Sequence, residues 1–356
     1  MNQTGVGIIG CGFISDIYLK NMTADPSLAV VAVADLDPAR ARAKAEKYGI
    51  ARACSPEDLL ADPAVTIVAN LTTPDAHASV AFAAIAAGKS IYNEKPLAIA
   101  LEDGKRLVAE AAAAGVRIGS APDTFLGAGW QTCRDLIDQG AIGRPVAGVA
   151  SMLCHGHEGW HPQPDFYYQP GAGPLFDMGP YYLTALVSLL GPIASVSAIA
   201  RRSFPTRTIT SQPNAGRQIE VNIPTHVAAV LDFADGAVVS LTTSFDTWAK
   251  ETRVEIYGSE GTLLCPDPNM FSGEIGLRTQ TLEGSEAVAV TRPYADNSRG
   301  LGISDMAAAI RDGRPQRCSG ELSLHVLEAI HAIHQASEEG RAIELETTVA
   351  RPEPLG

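Results

Sequence analysis

The chain has 356 residues and a formal net charge of −13, with 46% hydrophobic and 19% charged side chains. That length suits two domains rather than one small core, and the composition excludes a disordered chain. The acidic balance, with no basic run longer than Arg201-Arg202, argues against a nucleic-acid partner, because phosphate binding needs clustered Lys and Arg.

Taken in chain order, residues 6–10 form an apolar run that passes through Cys11-Gly12 into a helical segment over 13–22. Residues 28–34 are a second apolar run rich in β-branched side chains, ending at Asp35. Residues 38–48 read as helix, stopped by Gly49. Strand patterns follow at 66–70, 90–93 and 116–118, alternating with helices at 75–87 and 101–114 that end at Gly88 and Gly115. Strands alternating with helices of this length predict parallel βαβ units, hence an α/β doubly wound Rossmann sheet over residues 1–122. From about residue 145 the rhythm changes. Residues 146–152, 195–200, 226–233, 237–244 and 253–257 are strand-like, and Asp235-Gly236 marks a hairpin turn. This predicts an α+β domain over 123–356 built on an open, mostly antiparallel sheet. A late helix over 322–337 carries its apolar positions at Leu324, Leu327, Ile330 and Ile333.

The six cysteines are scattered without a Cys-x-x-Cys pair, which predicts reduced thiols rather than a disulfide framework. No segment has the pattern of a secretory leader or the ~20 apolar residues of a membrane span, so a cytoplasmic location is expected.

Gly10-Cys11-Gly12-Phe13-Ile14-Ser15 stands at the strand-to-helix turn of a dinucleotide fingerprint, with Ser15 in place of a third glycine. Gly10 permits the tight turn, and Gly12 lets a pyrophosphate approach the helix N-terminus, where free N–H groups favour an anion. Asp35 ends the second strand at about the ~20-residue remove expected of the acid that binds the adenosine ribose. Its carboxylate repels a 2′-phosphate, which favours NAD over NADP, although Arg40 leaves dual use open. Asn93-Glu94-Lys95-Pro96 and Asn70-Leu71-Thr72-Thr73-Pro74 with His77 lie at the carboxyl ends of neighbouring strands, the edge where open α/β sheets bind ligands.

These elements together resemble the Gfo/Idh/MocA family of sugar and polyol dehydrogenases. The resemblance also takes in Gly140-x-x-Gly143-x-Pro145 and Gly171-x-Gly173-x-x-x-Asp177-x-Gly179. It implies a cofactor site made by Gly10, Gly12, Phe13, Ile14, Asp35, Asn70, Thr72, Thr73, Pro74, His77, Glu94 and Lys95. The family's catalytic lysine falls on Lys95 and its catalytic aspartate on Asp177. The histidine four residues later falls on Tyr181, so this chain departs from the common pattern. Asp177 and Tyr181 share one face of a helix if it begins near Leu175, with Pro180 in its first turn.

The loop His155-Gly-His157-Glu-Gly-Trp160-His161 offers aromatic rings for the C–H faces of a sugar and polar groups for its hydroxyls. His157, Trp160 and His161, with Asp123, Lys95, Asp177 and Tyr181, are therefore the expected substrate contacts, and no metal is expected. Trp160-His161 matches a Trp-Arg pair of the family. The proton carrier stays open between Lys95, Tyr181 and His161. The resemblance implies hydride transfer between NAD and a sugar or polyol. One branch points to an aldopentose such as D-apiose oxidised to its lactone. A keto-sugar reductase using NAD(P)H and a non-catalytic dinucleotide sensor are the alternatives. The open sheet predicts a homodimer or homotetramer.

Overall fold

The structure, a computed structural model, describes residues 3–280 and 284–356. It divides into two compact units, the chain up to Leu126 with Asp296–Leu327, and Gly127–Ala295 with Glu328–Gly356. The sequence reading places a single cut after residue 122; in the structure residues 296–327 also belong with the first unit.

Among the described residues, the first unit holds six parallel strands: β1 (Thr4–Ile9), β2 (Leu28–Ala34), β3 (Ala53–Cys54), β4 (Ile67–Asn70), β5 (Ser90–Asn93) and β6 (Ile118–Ser120). Their order is β3-β2-β1-β4-β5-β6, the doubly wound arrangement, which reverses direction between β1 and β4. Helices α1 (Ser15–Ala24), α2 (Pro38–Tyr48), α3 (Pro56–Leu60), α4 (His77–Ala86) and α5 (Leu101–Ala114) connect them. Each of the two longest earns its boundaries locally. Asp37 accepts the Ala39 N–H at the start of α2, and Gly49 and Gly115 close α2 and α5 in the left-handed conformation. Val6, Ile8, Val33, Ile67, Val68 and Ile91 fill the core between the helical layers. Strand β3 and helix α3 escaped the sequence reading because each is too short to show a period.

The second unit begins with α6 (Ala128–Asp138), and its sheet opens at β7 (Pro145–Leu153). Helix α7 (Gly173–Leu190) follows, then β8 (Ile193–Arg201) and a small ladder of β9 (Thr206–Thr208) with β10 (Gln218–Glu220). The sheet continues with β11 (His226–Phe233), β12 (Val238–Ser244), β13 (Glu251–Gly258), β14 (Gly261–Cys265), β15 (Gly276–Thr279) and β16 (Glu286–Ala287). Helix α8 (Leu301–Asp312) returns to the first unit, α9 (Gly320–Glu339) contributes residues to both, and β17 (Ile343–Glu344) completes the sheet. The order is β16-β15-β14-β13-β7-β12-β11-β8-β17, antiparallel at every pair except β7 with β12. The β11–β12 hairpin turns at Gly236, whose φ of 88° suits glycine.

Alternation along β11 buries Val227, Ala229, Leu231 and Phe233 and exposes the residues between. Helix α7 packs against β7, β11 and β12. It starts at Gly173 with Pro174 in its first turn, two residues earlier than the sequence suggests. Pro180 is therefore in the helix interior, where it removes an N–H that the Phe176 carbonyl would accept; Pro174 takes the N-terminal position that suits a proline. No helix among the described residues is long and apolar enough to cross a membrane.

Asp123 follows β6 and is completely buried. Its Oδ2 accepts the N–H groups of Gly300 (2.9 Å) and Gly302 (3.0 Å) and thereby caps α8. The expected sugar contact at Asp123 gives way to this anchoring role, since the carboxylate has no surface to offer a ligand. Burial pushes its pKa up to about 6 against the pull of the two N–H groups. The folded state thus binds the Asp123 proton more tightly than the unfolded chain does. This stabilisation is full below about pH 4 and is lost as pH rises towards 6, a swing of roughly 3 kcal/mol. We predict that the stability of Asp123→Asn relative to the parent chain rises between pH 4 and 6.5 and then levels off. Thermal unfolding across that range checks it; a difference that falls with pH contradicts it.

Candidate active site

In the first unit the glycine turn is dictated by a close approach. Gly10 has φ 102°, and a Cβ there would lie 2.5 Å from the Leu71 carbonyl carbon. Gly12 is the opposite case: a Cβ would meet no atom within 4 Å. Protein packing does not require glycine at 12, and the open space beside its backbone leaves room for a ligand. The start of α1 has no side-chain cap, and the Asp16 N–H is met by the Phe13 carbonyl (3.3 Å). Asp35 is locked at the end of β2, with Oδ2 accepting the Cys11 N–H (2.8 Å) and Oδ1 the Asp37 N–H (2.8 Å). Each oxygen keeps a second lone pair for a ribose hydroxyl. Phe13 and Leu36, 93% and 94% exposed, flank this acid with bare apolar surface. Leu36 escaped the sequence reading, because nothing in its pattern marks an exposed leucine.

One strand over, a buried polar lattice fixes the neighbouring loops. Asn70 Nδ2 donates to Asn93 Oδ1 (3.0 Å) and to the His77 carbonyl (3.1 Å), and Thr72 Oγ1 donates to Asn70 Oδ1 (2.6 Å). The His77 ring lies between the Pro96 carbonyl (2.7 Å) and the Thr72 carbonyl (3.1 Å), and burial lowers its pKa. Asn70 and His77 have no exposed surface, so they shape the edge from beneath; Thr72, Thr73 and Pro74 keep some exposure. Glu94 joins both halves of the edge. Its Oε1 accepts the Tyr18 hydroxyl from α1 (2.7 Å), and its Oε2 accepts the Lys95 N–H (2.9 Å). Lys95 is half-buried at the head of this loop.

In the second unit, α7 presents Asp177 half-buried and Tyr181 buried on one face. The loop after β7 brings His157 to Asp177, with Nε2 3.5 Å from Oδ2. The His157 ring stacks on Tyr167 (centroids 3.7 Å, planes 11° apart) and meets Phe245 edge-on at 4.6 Å. Trp160 is exposed, while the Nδ1 atom of His161 accepts the Gln163 N–H (3.1 Å) and burial lowers that ring's pKa.

The sequence reading missed what holds this loop. Arg207 of β9 is buried and reaches Glu158 (Nη2 to Oε1, 2.7 Å), Asp246 (3.2 Å) and the carbonyls of His155 (3.0 Å) and Phe245 (2.7 Å). Tyr168 donates to the other Glu158 oxygen. A single arginine in a polar stretch gives no sign of burial; its partners come from two distant segments. Beside it opens a cleft of about 480 Å³ lined by His155, Phe204, Thr206, Thr210 and Trp248, with Trp248 stacked on His155 at 3.6 Å. Among the described residues no three His, Cys, Asp or Glu side chains group as a metal site would, and all six cysteines are free.

Comparison with known proteins agrees with this geometry. Residues 4–121 match an oxidoreductase family with an NAD-binding Rossmann fold, and residues 130–264 match the Gfo/Idh/MocA C-terminal domain. An uncharacterized oxidoreductase of Rhizobium meliloti is 30% identical over 96% of this chain and 98% of its own. The 1,5-anhydro-D-fructose reductase of Ensifer adhaerens is 28% identical over 96% and 98%, and the D-apiose dehydrogenase of Paraburkholderia graminis 26% over 96% and 90%. Levoglucosan dehydrogenase, solved with NADH and L-sorbose, shares the fold with a TM-score of 0.84 at 22% identity, covering 98% of this chain and all of that one. The chain belongs to the Gfo/Idh/MocA oxidoreductase family, and its first domain is an NAD-binding Rossmann domain.

Removing one member of a buried ion cluster leaves its partners unpaired and costs about 3 kcal/mol or more. Arg207→Met is therefore expected to lower stability by that order in urea unfolding while leaving NADH affinity unchanged. Unchanged stability contradicts the assigned role.

Proposed function

We propose that this chain is an NAD-dependent dehydrogenase of sugars or polyols, with an aldopentose such as D-apiose, oxidised to its lactone, as the first substrate to try. The observation that carries the reading is the Tyr18–Glu94–Lys95 connection. The helix that opens the dinucleotide turn and the loop that presents Lys95 are bonded to the same carboxylate. A lysine ammonium beside a bound nicotinamide would have a defined use: it would hydrogen-bond the reacting oxygen and stabilise the negative charge that develops there. NAD, when bound, supplies the hydride acceptor.

The cofactor contacts fall to Gly10, Gly12, Phe13, Ile14, Asp35, Thr72, Thr73, Pro74, Glu94 and Lys95, with Asn70 and His77 setting their backbone. Asp177 orients the substrate, Tyr181 offers a hydroxyl, and Trp160 and His161 serve as the loop's sugar contacts. The cleft by Trp248 suits a carbohydrate, since its rings cover C–H faces and its threonines bond hydroxyls. Because the D-apiose relative is a dehydrogenase and the anhydrofructose relative a reductase, the same groups serve either direction, set by cofactor ratio.

The open sheet face carries Ile199, Val230 and Val238, each more than 40% exposed, and we assign it to a homodimer or homotetramer contact. Val230→Asp is expected to shift the chain to a smaller species in sedimentation velocity; an unchanged sedimentation coefficient contradicts the assignment.

The test of function is NADH formation with a panel of pentoses, hexoses and inositols. Turnover with at least one is expected, and Lys95→Ala should lower kcat at least 100-fold while NADH binding persists. Near-normal turnover by that variant defeats the assignment of Lys95.

A further inference from the structure

We propose that His157 is the acid–base residue of this chain, supplying from the β7 loop the imidazole that α7 lacks at position 181. The inference rests on the dehydrogenase reading above.

A phenol ordinarily loses its proton near pH ~10, so a tyrosine is a poor acceptor at neutral pH, whereas an imidazole is a good one. The fold places an imidazole beside Asp177 by a different route. His157 Nε2 and Asp177 Oδ2 are 3.5 Å apart, longer than the ~2.9 Å of a strong N–H···O bond. A hydroxyl oxygen that bridges them lies within hydrogen-bond reach of both. The side chains of His157 and Asp177 are 11% and 18% exposed. Nδ1 is enclosed without a hydrogen-bond partner among the described residues, so the Nε2 edge is where a proton can be exchanged.

The ring is also held ready. Tyr167 and Phe245 pin its plane, and the His157 N–H donates to the Tyr168 hydroxyl (3.3 Å). Arg207 grips the loop on both sides, through the His155 carbonyl and the Glu158 carboxylate. The charged and titratable groups around it are Asp177 from α7, His161 from its own loop, Tyr167 and Tyr168 from the turn that follows, and the Glu158–Arg207–Asp246 cluster.

In the oxidative direction the C–H bond would break with its electron pair leaving as hydride, which NAD, when bound, would accept, while the O–H electron pair closes the carbonyl. The O–H bond breaks with its proton passing to His157 Nε2. Neutral imidazole becomes imidazolium, and the Asp177 carboxylate beside it balances the new charge. Only the neutral ring accepts a proton, so oxidation slows at acid pH.

The test is the pH profile of kcat/KM, with NAD and a sugar found in the panel, for the parent chain, His157→Gln and Tyr181→Phe. His157→Gln is expected to lose 100-fold or more and to lose the acidic limb, while Tyr181→Phe, even where slower, keeps that limb. Free imidazole should restore part of the rate of His157→Ala in proportion to its concentration, which a residue with only a packing role does not allow. A His157→Gln variant that binds NADH normally, keeps the acidic limb and turns over within threefold of the parent overturns the proposal. Absence of imidazole rescue in a folded His157→Ala does so as well. Failure of the parent chain on every sugar overturns instead the reading beneath it, and the proposal with it.

Discussion

The dinucleotide edge depends on one constraint: polar groups buried beneath a parallel sheet must bond to one another. The ends of β4 and β5 place Asn70 and Asn93 side by side with no access to water. Each amide has donors and acceptors that cost a few kcal/mol if left unmet. They are met by the loops above, at Thr72, the His77 carbonyl and the Leu97 carbonyl, so those loops have little freedom to move. The glycine turn, the Thr72–Pro74 segment and Lys95 are thereby fixed relative to one another before any ligand arrives. Preorganisation of this kind lowers the entropy lost on binding.

The second unit solves a similar problem with charge. Its site loop has no regular structure to define it, and Arg207 with Glu158 and Asp246 supplies the definition. Such a cluster adds little net stability against an apolar replacement of the whole set, yet breaking it is costly. Its value is in specifying one conformation for the residues between, of which His157 is the one set against Asp177. The aromatic rings of Tyr167, Phe245 and Trp160 complete the enclosure.

Legibility in the sequence followed locality. Gly10, Gly12 and Asp35 are readable because strand, turn, helix and acid follow one another within a few dozen residues. The roles expected of Lys95 and Asp177 rest on the motifs around them. Both domain architectures follow from the switch between helical and two-residue periods. Asp123 misleads because its partners, Gly300 and Gly302, lie far along the chain, and a polar residue at a strand end looks like a ligand contact. His77 likewise meets its second carbonyl only once Pro96 folds over it. Arg207 and the parallel β7–β12 pair belong to the same class, since sequence spacing carries no record of which distant segments become neighbours.

The central claim is that the chain moves a hydride from a sugar carbon to NAD. It is tested most directly by supplying an active sugar deuterated at the reacting carbon together with unlabelled NAD. Deuterium recovered at C4 of the nicotinamide, with slower turnover than the protiated sugar under single-turnover conditions, is the predicted result. Deuterium released to water, or reduced cofactor without the label, contradicts the account.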